Sequence, residues 1–113
     1  VSFTTGTGWC YGIHQGAGGC DCAVADSCSI KVVSSADFPG VEVESADFTG
    51  SATETGYQID PRRGQVVDAA NAPVQGAVLF TGTLSRQMRA DVNSMGRVRL
   101  CSPDGALGGY PSC

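Results

Sequence analysis

Long apolar runs are missing from this 113-residue chain. No stretch approaches the ~20 consecutive apolar residues that a membrane-spanning helix needs. A basic n-region followed by an apolar core is missing too, so the sequence reads as a mature product or a trimmed domain rather than one with a secretory leader. Uninterrupted helical windows are scarce, because 16 Gly and 5 Pro are spread along the chain. Chemistry-bearing motifs are equally sparse: there is no G-x-S-x-G, no H-E-x-x-H and no Asn-x-Ser/Thr. Residues 16–19 look superficially like a phosphate loop, but no Gly-Lys-Ser/Thr follows. The sole histidine, His14, lies among glycines and reads as a loop residue. Without a nucleophile–base pair, the chain is not expected to be an enzyme. No cofactor, metal or small-molecule substrate is implied.

What is present is a chain that folds. With 42% apolar and 16% charged residues, disorder is excluded, and the length suits one domain over residues 1–113 that buries ~65% of its unfolded surface. The net charge of −4 hides an asymmetry. Residues 1–61 carry eight acids (Asp21, Asp26, Asp37, Glu42, Glu44, Asp47, Glu54, Asp60) against Lys31. Residues 62–113 carry six arginines (Arg62, Arg63, Arg86, Arg89, Arg97, Arg99) against Asp68, Asp91 and Asp104. Guanidinium groups suit bidentate phosphate or carboxylate contacts, so an acidic body with a basic end is one reading. The plainer one pairs Arg89 with Asp91 and leaves the rest solvated.

Cys10, Cys20, Cys22, Cys28, Cys101 and Cys113 form an even set in a small, loop-rich chain, a pattern that favours disulfides and an oxidising compartment. The two late cysteines point to a Cys101–Cys113 bond closing the tail 102–113, a constraint of about 3 kcal/mol. Within the first cluster the reading leans to Cys10–Cys20 and Cys22–Cys28. Zinc is the competing use of those four, although C-x-C followed by C-x5-C departs from the usual C-x(2–4)-C pairs.

Strand-like runs recur at 2–5, 9–13, 29–33, 41–45, 56–60, 65–67, 77–81, 87–92 and 97–101, many separated by turn residues. Val41, Val43 and Ser45 alternate with Glu42, Glu44 and Ala46; Met88, Ala90 and Val92 alternate with Gln87, Arg89 and Asp91. Period two marks half-buried antiparallel strands, and the expectation is a mainly β domain. The tetrapeptide Ser35-Ala36-Asp37-Phe38 returns as Ser45-Ala46-Asp47-Phe48, each followed by x-Gly. This suggests two similar strand corners, each with an Asp turn and an anchoring Phe, or a chance duplication.

Two stretches stand out. Tyr57-Gln58-Ile59-Asp60-Pro61-Arg62-Arg63-Gly64 is a strand entering a tight turn, with Gly64 supplying the reversal. In Gly96-Arg97-Val98-Arg99-Leu100-Cys101, a strand sends Arg97 and Arg99 to one face and Val98 and Leu100 to the other. The two arginines then stand ~6.6 Å apart. Cys101 shares their parity, so its bond to Cys113 folds the tail across or beside the arginines.

This pair of stretches resembles the globular domain of the FimT/GspH family of minor type IV pilins and pseudopilins. Its members show an Ile/Phe-Asp-Pro-Arg-Gly turn and a Gly-Arg-x-Arg strand followed by a cysteine. Val1-Ser2-Phe3 and Gly8-Trp9 look like the family's first strands. The resemblance implies a pilin-type antiparallel β domain with a C-terminal cystine staple. It also implies a preceding hydrophobic helix, not in this sequence, that anchors the protein in the bacterial inner membrane and then packs in the filament. The domain would face the periplasm and then the exterior of the pilus, with major and minor pilins as partners. Some FimT-like members are implied to bind double-stranded DNA during natural transformation through the Gly-Arg-x-Arg region. Arg97 and Arg99, with Arg89 or Arg86 nearby, are the candidate contacts here. Alternatively, the motif is a fold element whose arginines hold tail carbonyls. The rival functions are a type II secretion pseudopilin of the same fold and, from another class, a secreted disulfide-rich binding module.

Overall fold

The computed structural model describes residues 1–16, 19–48 and 56–113. Nine strands occupy the apolar and alternating runs: β1 (Ser2–Phe3), β2 (Cys10–Ile13), β3 (Lys31–Ser34), β4 (Glu42–Asp47), β5 (Gln58–Ile59), β6 (Val66–Val67), β7 (Gly76–Thr81), β8 (Gln87–Val92) and β9 (Val98–Cys101). Two 3₁₀ turns, Ser35–Asp37 and Thr83–Ser85, are the only helical segments among the described residues. The chain is mainly β, and every strand pairing is antiparallel. The strands form a three-stranded sheet (β1-β2-β3), a four-stranded sheet (β4-β7-β8-β9) and a two-stranded ribbon (β5-β6).

The core lies where the three-stranded sheet meets the inward face of the four-stranded one. Trp9, Val33, Val43, Ala46, Phe48, Val66, Val78 and Val92 are buried there. Trp9 is its hub: its indole N–H donates to the Val41 carbonyl at 2.6 Å, and its ring stacks on Tyr11 and Phe38 and meets the edge of Phe80. That hydrogen bond matters because an indole donor left unpaired in the interior costs about 1–3 kcal/mol. Phe48 is fully buried between Phe3 and Tyr57. Gly76 lets the β7 backbone pass this ring, since a Cβ there would collide with the Asp47 carbonyl and Phe48.

Two details differ from the period-two reading. A β-bulge between Val43 and Ser45 shifts the register of β4, so Ala46 joins Val43 in the core rather than Ser45. The extra residue is Glu44, whose carboxylate accepts the Thr81 hydroxyl at 2.6 Å and the Gln87 amide at 2.9 Å. A bulge inserts one residue and so inverts the inward phase beyond it. The repeated tetrapeptide does not make two similar corners. Its first copy is the 3₁₀ turn, with Phe38 52% exposed; its second runs along β4 into the wholly buried Phe48. Neighbouring strands decide the outcome: β7 pairs with the second copy and holds it extended. The residues after that copy, Thr49-Gly50, and the residues Ala17, Gly18 and Glu54 lie outside the described ones.

The cysteine pairing also needs correction. Cys10 joins Cys22 and Cys20 joins Cys28, not Cys10–Cys20 and Cys22–Cys28. The reason is Gly12. It shares a face of β2 with Cys10, and a Cβ at this position would collide with the Cys28 sulfur and touch that of Cys20. The bare backbone makes a notch that the Cys20–Cys28 cystine fills, so Cys10, one ~6.6 Å step away on that face, takes Cys22. Cys101 joins Cys113. All six sulfurs are thus in cystines, which leaves no thiolate for the zinc alternative.

Candidate functional site

β9 is the outer strand of the four-stranded sheet, beside β8, with Asp91 opposite Arg99 and Arg89 opposite Cys101. The β8–β9 turn is built by Asn93, whose side-chain oxygen accepts the backbone N–H groups of Met95 and Arg97 at 3.0 Å each. Gly96, at φ +79°, completes the reversal. The Asn93 N–H donates to the Arg97 carbonyl. Antiparallel alternation then turns the Arg99 and Cys101 backbone toward β8, and the Val98 and Leu100 backbone outward. Val98 is 61% and Leu100 41% exposed; the sheet extends past the core here.

Arg97 and Arg99 are both exposed. Among the described residues neither makes an ion pair, and the side chain of Arg97 has no hydrogen-bond partner. Arg99 makes one hydrogen bond, from its guanidinium to the Ser112 carbonyl at 3.3 Å. The alternative in which an arginine holds the tail therefore applies to Arg99 and not to Arg97. Arg89 differs: it is half-buried and forks onto Asp91 at 2.8 and 3.2 Å. Arg86 is exposed at the opposite end of β8, where its field reaches Asp104. The four proposed contacts thus divide into an exposed Arg97, an exposed Arg99 with one bond to the tail, a neutralised Arg89 and a separated Arg86. Beside the first two lies an open concavity of about 800 Å³ lined by Arg97, Arg99, Arg89, Asp47 and Asp91.

The tail packs against this strand. Ser102, fully buried, donates its N–H to the Pro111 carbonyl and accepts the Cys113 N–H on its own carbonyl. Its hydroxyl donates to Asp104 at 2.9 Å. Asp104 also accepts the Ala106 N–H, and these two bonds, the backbone one first, hold its carboxyl below the usual carboxylate range.

The second stretch singled out in the sequence comes to the same place. The β5–β6 turn closes through the Gly64 N–H on the Asp60 carbonyl at 2.7 Å, with Gly64 at φ +67°. Asp60 Oδ1 accepts the Arg62 N–H at 2.9 Å. The Val66 N–H then donates to the Ser94 carbonyl, and the Gly64 carbonyl lies 3.3 Å from where a Gly96 Cβ would stand. The turn that carries Arg62 and Arg63 is thereby brought against the turn that leads into Arg97, while Arg62 and Arg63 themselves line a separate concavity with Asp60 and Asp68. Sequence reasoning did not include them: Arg-Arg-Gly is visible in the chain, but nothing in its spacing reveals that the two turns touch. Elsewhere, the His14 Nδ1 accepts the Ser29 N–H at 3.3 Å. Burial, and then Tyr11, pushes the Tyr57 hydroxyl above its usual range, keeping it neutral.

The chain matches no protein-family model, no curated protein and no solved structure.

Proposed function

We propose that this chain is the outward-facing β head of a filament subunit of the FimT/GspH minor-pilin type, and that its β9 rim holds double-stranded DNA by the phosphate backbone. The observation that carries the DNA reading is the exposure of Arg97 and Arg99 with no carboxylate partner among the described residues, while neighbouring Arg89 is neutralised by Asp91. Charge-assisted contacts from guanidinium to phosphate need that availability. Such binding is non-specific, with Kd on the order of 10⁻⁴–10⁻⁶ M at physiological salt, and it weakens steeply as salt rises. Glu42 and Glu44 of β4, on the far edge of the sheet, favour DNA approach from the arginine side. The filament role is supported by the Ile59–Gly64 turn, the Gly96–Cys101 strand and the cystine-closed tail, and it rests on those residues alone.

A mobility-shift titration at low salt tests the DNA role. Wild-type chain is expected to retard a random duplex, and Arg97→Gln/Arg99→Gln to lose most of that retardation with an unchanged circular dichroism spectrum. Equal retention by both removes these arginines from the mechanism. The filament role is tested by the codons upstream of Val1. An apolar helix behind a prepilin cleavage site supports it; an ordinary signal peptide overturns it in favour of a secreted binding module.

A further inference from the structure

We infer that the DNA site has a second rail, the Arg62-Arg63 tip of the β5–β6 turn, locked against the β8–β9 turn so that four arginines engage one duplex together. This rests on the DNA reading above. The observation is a backbone contact between two hairpin tips. Gly64 approaches to within 3.3 Å of a Cβ position on Gly96, and the Val66 N–H to Ser94 carbonyl bond at 2.9 Å fixes the register between them. One Cα step of ~3.8 Å on either side places the Arg63 and Arg97 Cα atoms within ~15 Å of each other. Both turns depend on glycine at positive φ. The rails are therefore positioned by backbone geometry and not by the arginine side chains, of which only Arg99, on the Ser112 carbonyl, and Arg63, at the ion-pair limit from Asp60, have a partner among the described residues.

Electrostatics point the same way. Arg62 is exposed, and Arg63 is 74% exposed, with Asp60 at the 4.0 Å limit of an ion pair. Asp60 is the only acid within residues 56–64 and 94–101. An exposed pair at that distance is largely screened by water, so both guanidinium groups keep most of their field. Two arginine pairs, one on the β5–β6 turn and one at the start of β9, suit a polyanion with a charge every ~1.7 Å along its axis. A small anion would be held by one pair alone.

Salt dependence of DNA affinity separates the possibilities. Each phosphate contact contributes ~0.9 to the slope of log K against log salt on duplex DNA. The wild-type slope is expected near −3.6, falling to about −1.8 in Arg62→Gln/Arg63→Gln and equally in Arg97→Gln/Arg99→Gln. Lys31→Gln, an exposed charge on β3, serves as the control for net charge and is expected to leave the slope unchanged. If Arg62→Gln/Arg63→Gln keeps the wild-type slope while Arg97→Gln/Arg99→Gln loses half of it, the second rail is wrong and the β9 site stands. If the wild-type chain does not retard duplex DNA, both ideas fall. A slope loss in Lys31→Gln as large as in the double variants also overturns the rail, because net charge then accounts for it.

Discussion

The two edges of the four-stranded sheet are opposites. β4 carries Glu42, Glu44 and Asp47, and its outer side is capped where the Gly6 N–H donates to the Val43 carbonyl at 2.8 Å. Glu44 is engaged by Thr81 and Gln87, and the strand runs straight into buried Phe48. Three inter-strand steps away, ~14 Å, β9 shows outward-turned backbone, exposed Val98 and Leu100, and arginines with little to hold them. Glu44 is woven into the construction of its edge, whereas Arg97 is left facing water. Availability, and not the sign of the charge alone, distinguishes an edge open to a ligand from an edge that holds the fold.

The sharpest way to break that contrast is to truncate an apolar side chain at each edge. Phe48→Ala should cost about 4 kcal/mol, and Leu100→Ala, on the open edge, less than about 1 kcal/mol, both read by urea denaturation. A comparable loss from Leu100→Ala would mean that β9 is covered. Next in size is the staple on the open side. Cys101→Ser/Cys113→Ser should cost about 3 kcal/mol, close to the ~2.6 kcal/mol of Cys20→Ser/Cys28→Ser, because the closed loops are similar in length. Only the first should also alter DNA retardation, since it frees the tail whose Ser112 carbonyl restrains Arg99.

The smallest effect is a pH dependence. Asp104 has a lowered pKa in the folded tail, so its contribution is fully present above the ordinary carboxylate pKa. It is lost as pH falls through the depressed folded value. The protection of the Ala106 amide relative to its intrinsic exchange rate should therefore fall in acid, and Asp104→Asn should show the lower protection already at neutral pH.

The β class and the location of the strands were legible because alternation and turn residues are local signals. The nine runs and the nine strands coincide to within about two residues. The inward phase of β4 was not, because a bulge at Glu44 depends on Thr81 and Gln87 in other strands. The cystine pairing escaped for a similar reason: Gly12 has no side chain to announce that it makes room for sulfur. For the site, parity separated Arg97 and Arg99 from Val98 and Leu100, and the Arg89–Asp91 pairing was one of the two readings on offer. The meeting of the β5–β6 and β8–β9 turns was hidden, because contact between two hairpin tips is a long-range fact with no periodicity behind it.

The amino-terminal cystines overlap, with the span from Cys10 to Cys22 crossing the span from Cys20 to Cys28 at Asp21. Cutting the backbone once anywhere between Cys10 and Cys28 therefore leaves both pieces on one covalent thread. Side-by-side pairing would have exposed the bonds flanking Asp21 to clean scission. A protease meeting this head can nick that loop, but a single nick there cannot shed it.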